Sequence, residues 1–535
     1  MAAILIIFLA LLPLVAFFGS SRVEFLLVDW RTYGQKRGIC QSLSLKKGEI
    51  YFIALELGTG IDVKRRVMRL LFLAFIFLGP SSFVFAQNNA VSTIVAPKAA
   101  SKNNFSPQIR FWNDSFISSD YEATSAKDFG FIGASLTTPT ESSWLTKMEI
   151  DTAFAFNSPF LSYLNFKDLY LDFPFGEMTS ESSVRLQLGR KRSDWSQADQ
   201  RWNLGIWEPV FKWNPLNPER QGLTGLFILI PFENLELELM GSPVYLPNQG
   251  PSFQVTEEGE FKRGNPWFRP PAQSVQIWSQ TSKVEYNLNR PNESSVVMQR
   301  SYATRLRVKT ESFFIQGSYA VKPMNELPLG YDGLLDIARD RGLVEIITSV
   351  QYHELTGADV EWRSKYLNFG ISSLRDKPTG KAEFPDENKW TRPIYKEAIV
   401  TSPYIDINFL NGWNVNLQYI SITGGEMAEE GPLAEANRAS ITRRFPFSQA
   451  QGLEVKYQGR LGLRRPWQSS LNYTVSTKNQ FDLIQWRGLI QITKGWNIFC
   501  ETLLVRSQTL TRENQNEFAQ FENHDRLLAG VGYVF

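Results

Sequence analysis

The sequence predicts an all-β fold: a transmembrane antiparallel β-barrel of about 18 strands, in a range of roughly 16–20, with long extracellular loops. Three observations lead there. From Phe105 to the end, apolar and polar residues alternate with period two, segment after segment. Beyond residue 86 no apolar stretch approaches the roughly 18 residues a membrane helix needs. The last ten residues, RLLAGVGYVF, form an amphipathic strand ending in aromatic residues.

The N-terminal region carries the export signals. Lys64, Arg65, Arg66 and Arg69 make a basic segment, Leu70 to Leu78 an apolar one, and Val84-Phe85-Ala86 a cleavage site before Gln87. Residues 68–86 therefore read as a signal peptide, with translation starting at Met68. Residues 1–67 read as an over-called extension, although the apolar run from Ala2 to Phe18 leaves an inner-membrane anchor open. Residues 87–104 are small and polar and read as a flexible periplasmic leader. Residues 1–86 hold 10 of the 56 Lys+Arg and 5 of the 54 Asp+Glu. The exported chain then carries 46 basic and 49 acidic residues, a net charge of −3, which removes any basic argument for nucleic acid. Cys500 is left without an intrachain partner.

Residues 105–535 form the barrel. In 144–156, Trp144, Thr146, Met148, Ile150, Thr152, Phe154 and Phe156 share a face opposite Lys147, Glu149 and Asp151. In 302–310, Tyr302, Thr304, Leu306 and Val308 oppose Arg305, Arg307 and Lys309. The same holds for 359–366, 413–419 and 453–460. Soluble sheets also alternate, but so many strands in an exported chain favour closure, which removes the edges. Aromatic residues make up 13% of the chain, enough for girdles at two membrane interfaces. About 20 segments fit the pattern, among them 274–288, 343–354, 357–374 and 436–446. Thr356-Gly357, Asn411-Gly412 and Lys494-Gly495 read as tight turns. The last two precede GWNVN and GWNIF and belong on the periplasmic side. An odd number of segments lies between them, so this assignment does not close. Long links at 192–221, 243–273, 323–342, 375–396, 424–435 and 509–523 belong mostly outside.

On the terminal strand, Leu527, Ala529, Val531, Tyr533 and Phe535 share the apolar face. A strand ending on a carboxyl-terminal Phe resembles the closing strand of Gram-negative outer-membrane β-barrels, porin-type channels among them. That resemblance implies that Tyr533 and Phe535 belong to the assembly signal read by the barrel-assembly machinery, that Phe535 lies at the periplasmic rim, and that the chain sits in outer-membrane lipid. VRLQLGRKR at 184–192 resembles the Gly-Arg strand of some polysaccharide-export and porin-type barrels.

The densest loop is 192–221, with Trp195, Asp199, Arg201, Trp202, Trp207, Glu208, Lys212 and Trp213. Three prolines keep it from being one strand. It reads as a constriction folded into the lumen, or else as an ordered external loop. Arg185, Arg305, Arg307, Lys309, Arg363 and Lys365 read as lumen charges, joined by Lys456 and Arg460. They form a basic row that favours anions, or pair with inward Glu149, Asp151, Asp168, Asp172, Glu361 and Glu454. The proline-rich 243–273 reads as a lid, a plug or an exposed connection.

His353 and His524 are the two histidines, and no GxSxG, P-loop, EF-hand or HExxH motif is present. No catalytic residue, metal or cofactor is expected. The function expected is a channel for passive or gated passage of small hydrophilic solutes or saccharides. A polysaccharide-export or capsule-assembly barrel and a non-conducting adhesin or receptor remain open alternatives. Nucleic acid is not an expected partner, and the oligomeric state is open.

Overall fold

Strands β1 (Ser106–Phe116), β2 (Asp128–Thr137), β3 (Thr146–Ala155), β4 (Tyr163–Phe175), β5 (Val184–Lys191) and β6 (Leu223–Phe232) begin the barrel wall. It continues through β7 (Leu235–Ser242), β8 (Ser301–Lys309), β9 (Phe313–Pro323), β10 (Tyr352–Arg363), β11 (Leu367–Thr379) and β12 (Ala398–Asn408). β13 (Trp413–Gly424), β14 (Gln449–Leu461), β15 (Arg465–Ser476), β16 (Phe481–Gln491), β17 (Trp496–Ser507) and β18 (Arg526–Val534) complete it. Each strand pairs antiparallel with the next, and β18 pairs back onto β1, from Gln108 opposite Val534 to Phe116 opposite Arg526. The 18 strands thus form a closed ring with no free edge.

This is a computed structural model. It describes residues 105–535 except 118–126, 140–145, 176–182, 263–264, 269, 278–279, 290, 337–338, 381–383, 385–388, 434–443, 462–464, 477, 479, 508–516 and 523. The expected extension 1–67, signal peptide 68–86 and leader 87–104 lie outside the described residues.

Alternation sorts the two surfaces. Phe111, Ile315, Val360, Phe369, Ile371 and Ile399 are exposed on the outside. Their neighbours in sequence, including Arg110, Gln316, Asp359 and Ser372, face inward. An apolar exterior around a polar interior suits a wall set in lipid. On β18, Leu527 and Val531 are exposed, and so is Phe535 just after it, as the terminal strand predicted. Phe535 donates its backbone N–H to the Pro107 carbonyl, and its ring meets Tyr533 edge-on at 4.9 Å.

The described connections after even-numbered strands, at 233–234, 310–312, 364–366, 409–412 and 492–495, are short turns. Those at 192–222, 243–300, 324–351, 380–397 and 425–448, after odd-numbered strands, are long. The two GWN turns share a geometry. Phe409 N–H donates to the Trp413 carbonyl and Ile492 N–H to that of Trp496. Gly412 and Gly495 both sit at φ +85°, where a side chain is strained.

Four strands, β13–β16, separate these turns, so both lie at one end. β13 pairs directly with β14, so the expected 436–446 does not stand between them in the wall; 436–443 lie outside the described residues, and 444–446 are not in a strand. Three further corrections follow. The segment 274–288 and the first part of 343–354 are strands, but not of the wall. Ser274–Ile277, Gln280–Asn289, Arg341–Thr348 and Leu329–Asp336 make a separate four-stranded sheet within the long loops, with a parallel pairing at its centre. The expected strand 357–374 is two, because the turn lies at 364–366. Gly357 is mid-strand, facing the lumen: a Cβ there would strike Ser318 Oγ and come within 3.6 Å of the Trp207 ring. The glycine makes room for a loop rather than forming a turn.

Candidate functional site

That loop is 192–222. It leaves β5, crosses the lumen and docks on the far wall. The Asp194 carbonyl accepts from Arg305 Nη1 at 2.9 Å and Gln316 Nε2 at 2.8 Å. The Trp195 carbonyl accepts from Ser318 Oγ at 2.8 Å. A short helix, α1 (Gln197–Trp202), follows, capped by Ser196. Its first amides bond the wall: Ala198 N–H to Ser372 Oγ at 2.9 Å, and Gln197 N–H to the Asp359 carboxylate. Trp202 Nε1 donates to Ser402 Oγ at 2.9 Å. Arg201 grips the Asp406 carboxylate with both terminal nitrogens, at 3.2 and 2.8 Å, and lies 3.5 Å from the centre of the Tyr404 ring. The loop then returns to the near wall. Trp213 packs at 5.2 Å on Tyr163 of β4, and Glu219 meets Lys167 at 3.0 Å.

Internal contacts make the loop rigid. Trp195 and Trp207 stack, rings parallel within 4° and 5.6 Å apart, both fully buried. The Asp199 carboxylate accepts from the N–H groups of Ile206 and Trp207, each at 3.0 Å. Glu208 accepts from Ser193 N–H and pairs with Arg220 at 2.5 Å. Burial raises both carboxyls. Asp199 stays above its usual range despite its backbone donors. Burial outweighs Arg220 at Glu208 and pushes it up to about 7.

Of the eight residues proposed for the constriction, Arg201, Trp202 and Trp213 line open space. Asp199 and Glu208 do not face a passing solute. They are buried because a loop this short of regular structure must satisfy its own N–H groups, and the carboxylates supply the acceptors. Trp195 and Trp207 are the loop's core. Lys212 reaches Glu326 in the 324–351 connection. The cavity-lining residues that sequence reasoning passed over are Gln197, Gln200, Asn203 and Asn217.

The lumen charges are mostly paired. Arg305 bridges Glu236 at 2.9 Å and Glu238 at 2.5 Å, and Lys191 also reaches Glu238 at 2.7 Å. Arg307 meets Glu236 at 3.5 Å. Arg185 pairs with Asp172, and Arg363 with Glu361. Lys309 is exposed at the end of β8 by the short turns. Lys365 is not on the inner wall: it sits in the 364–366 turn, its ammonium 5.2 Å from the Tyr366 ring centre.

Segment 243–273 packs over this assembly. Asn248 N–H bonds the Asn325 carbonyl at 2.7 Å, and Lys212 N–H bonds that of Gln249 at 2.6 Å. Trp267 is buried against Phe116, Phe521 and His524 at the β1–β18 end. His524 Nε2 meets the Pro266 carbonyl at 3.1 Å. His353 is fully buried on β10, Nδ1 2.8 Å from Asp376. Among the described residues no group of three or more His, Cys, Asp or Glu could hold a metal ion.

Beside the loop, the lumen stays open as two adjoining cavities of about 660 and 800 Å3. Both are lined by Asn203, Asn217, Pro218, Arg220, Lys456 and Arg487. The chain is a closed, 18-stranded antiparallel β-barrel.

No family model matches the sequence, and no curated protein does. Solved structures with a similar course include OccAB2 of Acinetobacter baumannii (10% identity, 81% of this chain and 98% of that one, TM-score 0.39). Others are OccK11 (OpdR) of Pseudomonas aeruginosa (10%, 81% and 95%, 0.38) and Wzi of Escherichia coli (9%, 81% and 84%, 0.38). Wzi is described as an outer-membrane protein involved in group 1 capsule assembly and a carbohydrate-binding β-barrel. The barrel assignment rests on the closed ring itself.

Proposed function

We propose that this chain is an outer-membrane channel through which small hydrophilic solutes diffuse, with segment 192–222 as its constriction. One observation carries the reading: the segment is docked across the lumen on β9–β12 and leaves a polar passage along β13–β18 and β1. Diffusive transport asks for a lipid-compatible exterior, a polar bore and a narrowing that does not collapse. The Trp195–Trp207 stack and the Arg201–Asp406 tie serve the last of these. In this reading residues 68–86 direct export, and Tyr533 and Phe535 present the terminal strand to the assembly machinery. The long loops face outward, and Phe535 lies at the periplasmic rim.

Reconstitution of the exported chain into a planar bilayer tests the proposal. Discrete conductance steps are the expected result. A correctly folded barrel that stays silent would overturn it and favour a surface-binding role for the long loops.

A further inference from the structure

One hydrogen-bonding register crosses six consecutive strands of the open side. It runs from Asn368 on β11 to Asp406, Asn416, Glu454, Asn472 and Gln485 on β12–β16. All six side chains border the same cavity. Five inter-strand spacings of about 4.8 Å give the row a length of roughly 24 Å. Gln418 extends it on β13, and Gln197, Gln200 and Asn203 of the constriction face it.

The charges at this cavity are already matched. Arg201 pairs with Asp406 at 2.8 Å, Arg220 with Glu208 at 2.5 Å, Lys456 with Glu454 at 2.8 Å and Arg487 with Glu501 at 3.0 Å. A charged solute would have to compete with an ion pair for each contact. The amides differ. The side chains of Gln418 and Asn472 make no hydrogen bond to another described residue, and both are half-buried at the cavity wall. An amide offers donors and an acceptor side by side, as a neighbouring pair of hydroxyls does. Trp202, Phe447 and Phe518, buried against one another, border the same cavity at its apolar edge. Its volume of about 660 Å3 falls within the range of roughly 300–1,000 Å3 usual for small-ligand sites.

We propose that this amide row is a binding track for neutral saccharides. The proposal rests on the channel reading for its place in transport, but the site can be tested without it. Binding of maltotriose to the detergent-solubilised exported chain is measured by calorimetry, with gluconate and glucosamine as charged comparators. Saturable maltotriose binding, tighter than either comparator, is expected. In Gln418→Leu/Asn472→Leu, affinity falls by roughly tenfold, the loss of about two hydrogen bonds. Lys365→Gln, altered at the rim, binds as the parent does.

The proposal is overturned if maltotriose does not bind, if a charged comparator binds tighter, or if the folded double variant binds as the parent does. Should the double variant not fold, as judged by heat-modifiable gel migration, the ranking of the three ligands on the parent still decides. Conductance without saccharide binding would sink this inference and leave the channel standing. Binding by a silent barrel would do the reverse.

Discussion

Two stretches of the lumen wall use polar side chains differently. On β7–β10, Glu236, Glu238, Arg305, Arg307, Glu361 and Arg363 are tied to one another, and Arg305 also holds the loop carbonyl of Asp194. On β13–β16 the wall leaves the amides of Gln418 and Asn472 free at the cavity. The first stretch spends its charge on fixing the constriction, and Ser372, Ser402 and Asp406 of β11 and β12 complete that hold. The second keeps hydrogen-bonding capacity for whatever passes. A charged residue facing a lumen is therefore not by itself a selectivity residue, since its partner decides.

The largest effect should come from breaking the first stretch. Arg305→Met leaves Glu238, fully buried, with Lys191 as its one remaining cation, and should cost about 3–5 kcal/mol. A matching fall in the temperature at which the barrel loses its heat-modifiable migration checks this. Asn472→Ala, on the other stretch, should stay within about 0.5 kcal/mol.

Trp195→Ala should loosen the loop next. Removing a stacked, fully buried indole costs about 3–5 kcal/mol locally, with cavity collapse setting where in that range. Faster trypsin cleavage at Arg192 or Arg201 in the folded barrel is the readout.

Arg201→Gln should act on selectivity more than on stability. It strips Asp406 of its cation at the cavity edge. Permeability for potassium over chloride, read from the reversal potential, should rise roughly two- to five-fold for one unmatched charge in a narrow bore.

The smallest effect concerns pH. Glu208 sits near 7 in the folded loop, above its ordinary 4.5. Between those values the folded loop holds a proton that the loosened loop releases. Loop packing is therefore favoured at low pH and weakens as pH rises through about 7. Tryptophan emission should shift to the red between about pH 5.5 and 8.5. Glu208→Gln should flatten that change.

The barrel was legible in the sequence because period-two alternation reports directly on a wall wet on one side and oiled on the other. The terminal strand was legible for the same reason. Alternation could not say which sheet a strand joins: 274–288 reads like a wall strand, yet its residues pair with 341–348 among the loops. Nor could it place a turn where Gly357 serves packing. In the loop, Trp density signalled an ordered core, but residue type could not separate the carboxylates that cap backbone N–H groups, Asp199 and Glu208, from charges facing the passage. The amide row was invisible because it exists only in register across six strands, and Asn416 and Asn472 have nothing in common along the chain.

The central claim is that segment 192–222 narrows a conducting bore. Its most direct test is the single-channel conductance of the exported chain against a variant with residues 195–218 replaced by a short glycine-serine link, both verified as folded barrels. A small, steady step in the parent and a several-fold larger one in the variant is the predicted result. Equal conductance in the two, or silence in both, would contradict it.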